Sequence, residues 1–149
     1  MLLGRQNLIE AAQQSLSPHD GIGRGMKVGK EEIMGLLAAV ERYLKVDHDA
    51  EQRELQSKVT YIIQALAKSG VTGKQDVPEI ANHVPHAVLE WDEAEKKLTA
   101  QQVVKHLHEG DPPIAVSRRR EGGLRISVWL MRGDEHKIVA RRLKEIFNS

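Results

Sequence analysis

Between Gly21 and Lys30 the chain places four glycines and three cations in ten residues, Gly21-Ile22-Gly23-Arg24-Gly25-Met26-Lys27-Val28-Gly29-Lys30. Glycine lets a ligand come close to the main chain. The run also leads into an amphipathic helix, whose first N–H groups and dipole favour an anion. Arg24, Lys27 and Lys30 would add charge-assisted bonds beside the main chain at Gly23. These residue types predict an anion-binding loop, with phosphate or carboxylate as the guest. They equally suit a flexible basic connection between two helices, because the spacing matches no P-loop.

Other candidate chemistry is thinner. His83 and His86 lie three apart, and His106 and His108 lie two apart. Neither pair has metalloprotease spacing, and His106 and His108 would leave a helix on different sides. Surface histidines and no metal site are expected. Arg118-Arg119-Arg120 falls at a predicted hairpin end and runs into Glu121. A solvated turn is expected there, although one of these arginines turned toward a pocket would grip a carboxylate through two parallel bonds. Asp47-His48-Asp49 reads as a solvated helix boundary. No nucleophile elbow, catalytic-triad signature or dinucleotide fingerprint occurs.

Composition bounds these readings. The 149 residues suffice for one ordinary domain with a real core. Lys and Arg number 22 against 21 Asp and Glu, a net charge of +1, which argues against a generic nucleic-acid or membrane-surface binder. Aromatic residues make up 3%, which leaves few rings for base stacking. The absence of cysteine excludes disulfides, thiolate metal sites and a cysteine nucleophile, and fits a reducing compartment. No signal-peptide core and no apolar run of membrane-spanning length are present, so a cytoplasmic protein with no membrane contact is expected.

The elements that must carry the loop follow from periodicity. Leu8, Ile9, Ala12 and Leu16 make one helix face over residues 5–16, which Ser17-Pro18 ends. Ile33, Leu36, Leu37, Val40, Tyr43 and Leu44 make a stronger stripe after the loop. A third helix is predicted over 49–68, buried through Leu55, Val59, Ile62, Ile63 and Leu66. Strands follow at 74–80 and 86–91. Thr99 is the N-cap of a helix through His108. An extended run at 114–118, a turn at Glu121-Gly122-Gly123 and an alternating strand over 124–130 read as a hairpin. A last helix covers 134–147. The expected fold class is α/β (α+β): a helical segment at residues 1–70 bearing the loop, then a small β-β-α-β-β-α domain at 71–149, an antiparallel sheet with helices on one face.

Three stretches bring a family into view. Gly4-Arg5-x-x-Leu8-Ile9-x-Ala11-Ala12, then Gly21-Ile22-Gly23-Arg24-x-Met26-Lys27-Val28-Gly29-Lys30-Glu31-Glu32-Ile33, then Leu36-Leu37-Ala38-Ala39 resemble the selenocysteine synthase-like group of fold-type I pyridoxal-phosphate enzymes. Gly110-Asp111-Pro112-Pro113-Ile114 resembles a turn in that group's C-terminal domain. In this family the lysine that binds the cofactor covalently lies just upstream of a Gly-Pro-Gln turn, which leads into the segment matching Leu2-Leu3-Gly4-Arg5. The resemblance therefore implies a C-terminal portion that lacks the cofactor lysine and the large domain. Neither Lys27 nor Lys30 stands in the lysine motif. Arg24 and Lys27 match the family's two basic residues three apart, which bind an anionic group of substrate or cofactor. Arg118 or Arg119 falls near where the small domain offers an arginine to a substrate carboxylate.

By the same resemblance the intact enzyme would be a transferase or lyase using pyridoxal phosphate. Its substrate would be a small anionic amino compound or an aminoacyl-tRNA, and its assembly a homo-oligomer. This chain alone would be inactive and would not bind the cofactor covalently. Its first two helices would expose Leu36, Leu37 and Val40, or cover them in a dimer. The rival expectations are a non-catalytic α/β module that binds anions or a partner through the glycine loop, and a structural remnant that folds only as an oligomer.

Overall fold

A computed structural model describes residues 2–80 and 83–149. The chain divides into two compact units, one ending at Val46 and one running from Asp47 to Ser149.

The first unit holds α1, Gln6–Ser15, a 3₁₀ turn at Arg24–Met26, and α2, Lys30–Lys45. Neither helix has a buried residue. The apolar stripe of α2 is open: Ile33, Leu36, Leu37 and Leu44 all stand exposed. This unit is ordered by local bonds, chiefly the return of the loop onto the end of α1, where the Gly23 N–H donates to the Ser15 carbonyl at 2.8 Å.

The second unit has a core. It begins with α3, His48–Leu66, whose N-terminus is capped by the Asp47 carboxylate accepting from Ala50 N–H at 2.9 Å. Then come β1, Thr72–Asp76, β2, His86–Glu90, α4, Glu93–Lys96, α5, Ala100–His108, β3, Ser117–Arg118, β4, Leu124–Ser127, and α6, Glu135–Phe147. The four strands form one sheet in the order β1-β2-β4-β3, and every neighbouring pair is antiparallel.

One face of this sheet is apolar. Ala87 and Leu89 of β2 and Leu124 and Ile126 of β4 pack with Val59, Ile62 and Leu66 of α3, Val103 and Leu107 of α5, and Leu143 and Phe147 of α6. The 3.6-residue spacing of α3 keeps Leu55, Val59, Ile62 and Leu66 on one side, which is why it can lie flat on the strands. Gly73 permits the close approach: a Cβ there would stand 2.7 Å from the Ile63 side chain. Lys58 is buried beside this core, where its ammonium pairs with Glu54 at 2.7 Å and donates to the Met131 carbonyl at 3.0 Å, tying α3 to the turn after β4.

Several sequence expectations need correction. The two compact units meet at 46/47, and α3 gives its apolar side to the sheet. The first strand is 72–76, shifted from the expected 74–80. The alternation over 124–130 ends as a strand at Ser127. A turn closed by Met131 N–H on the Val128 carbonyl then leaves Trp129 and Leu130 exposed. Between the second and third strands stand two helices where one was expected. The additional α4 starts at Asp92, whose carboxylate accepts from Ala94 and Glu95 N–H, so a polar cap nucleates it with no apolar periodicity to advertise it. Among the described residues no helix is long and apolar enough to cross a membrane.

Two measurements test this packing. Ile62→Ala removes a fully buried side chain between α3 and the sheet and is expected to cost about 2–5 kcal/mol in denaturant unfolding. The Lys58 hydrogen bond and charge hold the Glu54 carboxyl below its ordinary 4.5, so this pair stabilises the fold above that pH and loses its contribution as pH falls through the lowered native value. Glu54→Gln is expected to flatten that part of the acid-side stability profile, which thermal melts across the acidic range would follow.

Candidate functional site

Charged groups gather at the glycine-rich loop and on the face of the sheet opposite its apolar side. In the loop, Gly21 and Gly23 press against the end of α1. A Cβ on Gly23 would lie 2.9 Å from both the Ser15 carbonyl and the Leu16 side chain. The absent side chains thus let the chain's own backbone approach. The Arg24 N–H bonds to the Gly21 carbonyl at 3.0 Å and the Met26 N–H to the Gly23 carbonyl at 2.9 Å, which closes the 3₁₀ turn.

Arg24 is committed to the same loop. Its guanidinium donates to the Pro18 and His19 carbonyls and pairs with Asp20 at 3.3 Å. Lys27, which follows the turn, and Lys30, the first residue of α2, are exposed, and among the described residues neither has an ion-pair partner. At the start of α2, the Glu31 and Glu32 carboxylates stand on the side of Gly29 where a Cβ would be. The loop therefore brings Gly23, Arg24, Lys27 and Lys30 into one short segment, with Lys27 and Lys30 free to meet a ligand and Arg24 acting first as a staple.

The three consecutive arginines diverge. Arg118 lies opposite Leu124 in the β3–β4 register and is exposed, bordering a hollow that α5 also lines through Thr99 and Gln101. The Arg119 side chain, only 22% exposed, reaches Glu90 of β2 and lies 3.6 Å from Glu121. Gly122 and Gly123, both with positive φ, make the tight turn that sends the chain back into β4. The Arg119 hydrogen bond, followed by that of Lys74, holds the Glu90 carboxyl below the usual carboxylate range, so Glu90 stays ionised at neutral pH and anchors both cations.

Sequence reasoning missed the residues beside them. Lys74 of β1 pairs with Glu90 at 3.2 Å, and Arg125 of β4 pairs with Asp76 of β1. Alternation carried the signal: in Leu124-Arg125-Ile126-Ser127 the core takes Leu124 and Ile126, so Arg125 must lie on the other face.

Among the described residues Lys58 is the only buried lysine, and its ammonium is already shared between Glu54 and Met131. The lysines near the two charged places stand in the open. The described residues also contain no group of three or more histidines and carboxylates able to hold a metal ion.

No family model matches the chain. It is 28% identical over 148 residues to the 5'-C-glycyluridine monooxygenase-decarboxylase of a Streptomyces species, covering 97% of this chain and 36% of that protein. It is 26% identical over 150 aligned positions to the D-glucosaminate-6-phosphate ammonia lyase of Salmonella typhimurium, covering 97% of this chain and 38% of the lyase. The solved structure of a D-glucosaminate-6-phosphate ammonia-lyase matches the fold with a TM-score of 0.62 at 25% identity, again over 97% of this chain and 38% of the other. Nearly all of this chain is thus similar to a part of these enzymes, and it spans little more than a third of their length.

Proposed function

We propose that the chain is the C-terminal portion of a pyridoxal-phosphate-dependent lyase or transferase of the selenocysteine synthase-like group, acting on an amino-acid-type substrate. The observation that carries this reading is the agreement of sequence and fold with one ammonia lyase over 97% of the chain. The relatives' names describe loss of ammonia from an amino sugar acid phosphate and decarboxylation of a glycyl nucleoside, and an amino group with a carboxylate is common to both. A small anionic amino compound suits a net charge of +1 better than an aminoacyl-tRNA does.

In this reading the lysine that bonds to the cofactor, and most of the cofactor's cradle, lie outside these 149 residues. The chain's own part is to bind and orient. Lys27 and Lys30, with Arg24 once it leaves Asp20, draw an anionic group of substrate or cofactor toward the loop. Arg118 or Arg119 offers a fork to the substrate carboxylate. Orientation of this kind lowers the barrier only when the reacting groups are present, so the chain alone is inactive. The exposed stripe of α2 is the surface on which the large domain or a second subunit would sit.

Titration of the purified chain with pyridoxal phosphate, borohydride reduction and peptide mass mapping test the central claim. The expected result is scattered, substoichiometric labelling of surface lysines; stoichiometric labelling of a single lysine would overturn it. For the loop, Arg24→Ala combined with Lys27→Ala is expected to abolish phosphate-induced changes in the amide signals of residues 25–29 while leaving the melting temperature within about 2 °C, since neither side chain touches the core.

A further inference from the structure

The face of the sheet opposite α3, α5 and α6 is built for charge. Lys74, Val88, Arg125 and Ser117 stand in one row across β1, β2, β4 and β3, since Lys74 pairs with Val88, Val88 with Arg125, and Arg125 with Ser117. Val88 is only 2% exposed although α3, α5 and α6 pack on the opposite face, and the long arms beside it cover it. Arg125 extends to Asp76, while Lys74 and Arg119 converge on Glu90. These pairs hold the cations in place and leave much of them in solvent: the Lys74 side chain is 58% exposed and that of Arg125 43%. A guanidinium has five N–H donors, and the single contact to Asp76 leaves most of those of Arg125 available. The hollow between them has a volume of about 610 Å³ and is bounded at its rim by Arg118 and Arg120.

We propose that this face is a binding site for a phosphate monoester, with Arg125 and Lys74 as its charged ligands and the Ser117 hydroxyl as a further donor. The chemistry selects phosphate over carboxylate. Asp76 and Glu90 already offer these cations a carboxylate, so an incoming carboxylate brings no advantage in charge or in oxygen count. A phosphate monoester is close to dianionic at neutral pH and presents three acceptor oxygens. Donors arriving from three strands suit three oxygens on a tetrahedral centre better than two in a plane. The charge balance also fits, because five cations meet three carboxylates here while the whole chain carries only +1. This site uses none of the loop residues, and its ligands Arg125, Lys74 and Ser117 are distinct from Arg118 and Arg119, which border the same hollow and were offered above to the substrate carboxylate.

The test is a site-resolved NMR titration of the full-length ¹⁵N-labelled chain with inorganic phosphate and glycerol 2-phosphate, and with acetate at matched ionic strength. Saturable shifts centred on the amides of Lys74, Ser117 and Arg125 are expected with both phosphates and not with acetate. Arg125→Gln should weaken the apparent affinity at least about 10-fold, and Arg125→Lys, which keeps the charge and the stem over Val88, should fall between. Equal shifts with acetate, shifts confined to residues 25–29, or unchanged affinity in Arg125→Gln would each overturn the proposal. Signals from the loop and from the sheet are separate, so either anion reading can fail without the other.

Discussion

Everything ordered in the second unit depends on one contact, the apolar side of α3 lying along the sheet. Val59, Ile62 and Leu66 are wholly buried there, and Gly73 removes the one side chain that would hold the helix off β1. Burial of such side chains is the main favourable term in folding, and it fixes which face of every strand turns inward. Once α3 has chosen a face, period-two alternation sends Lys74, Glu90 and Arg125 to the other. The charged surface is therefore the geometric complement of the core. Lys58 and Glu54 then secure the edge of this contact by fastening α3 to the turn after β4.

Glu90 organises that charged surface in turn. It accepts from both Lys74 and Arg119, so one carboxylate sets the position of two cations, one on β1 and one just after β3. Each such pair near solvent adds little to stability. Its effect is to restrict long side chains that would otherwise lose rotamer freedom when a ligand arrives, which lowers the entropic cost of binding. The first unit uses the same device in miniature, with Arg24 held by Asp20 and by carbonyls of its own loop.

Much of this was legible in the sequence. The helices over α2, α3, α5 and α6 follow from apolar periodicity, and Thr99 was readable as a cap from its residue type, to which the structure adds the reciprocal pair with Gln102. Strand positions β2 and β4 followed from alternation. Which helix enters the core was not legible, because α2 and α3 both carry apolar stripes and periodicity says nothing of what a stripe meets. The loop showed its composition but not its purpose: a glycine that admits a ligand and a glycine that admits the end of α1 look alike in sequence. Arg125 was hidden because its partner Asp76 lies 49 positions away, and only strand pairing brings the two near.

The unequal burial of the two units has a consequence for how the molecule melts. With no buried residue in α1 or α2, the first unit has little apolar surface to release on unfolding, and isolated helices of 10 and 16 residues are marginal in water. Calorimetry of the isolated chain would therefore register one cooperative transition, its enthalpy and heat-capacity step scaled to residues 47–149 alone, because both quantities grow with the surface exposed. Amide protons of α3 would exchange only through that global event, while those of α1 would exchange through local fraying long before it.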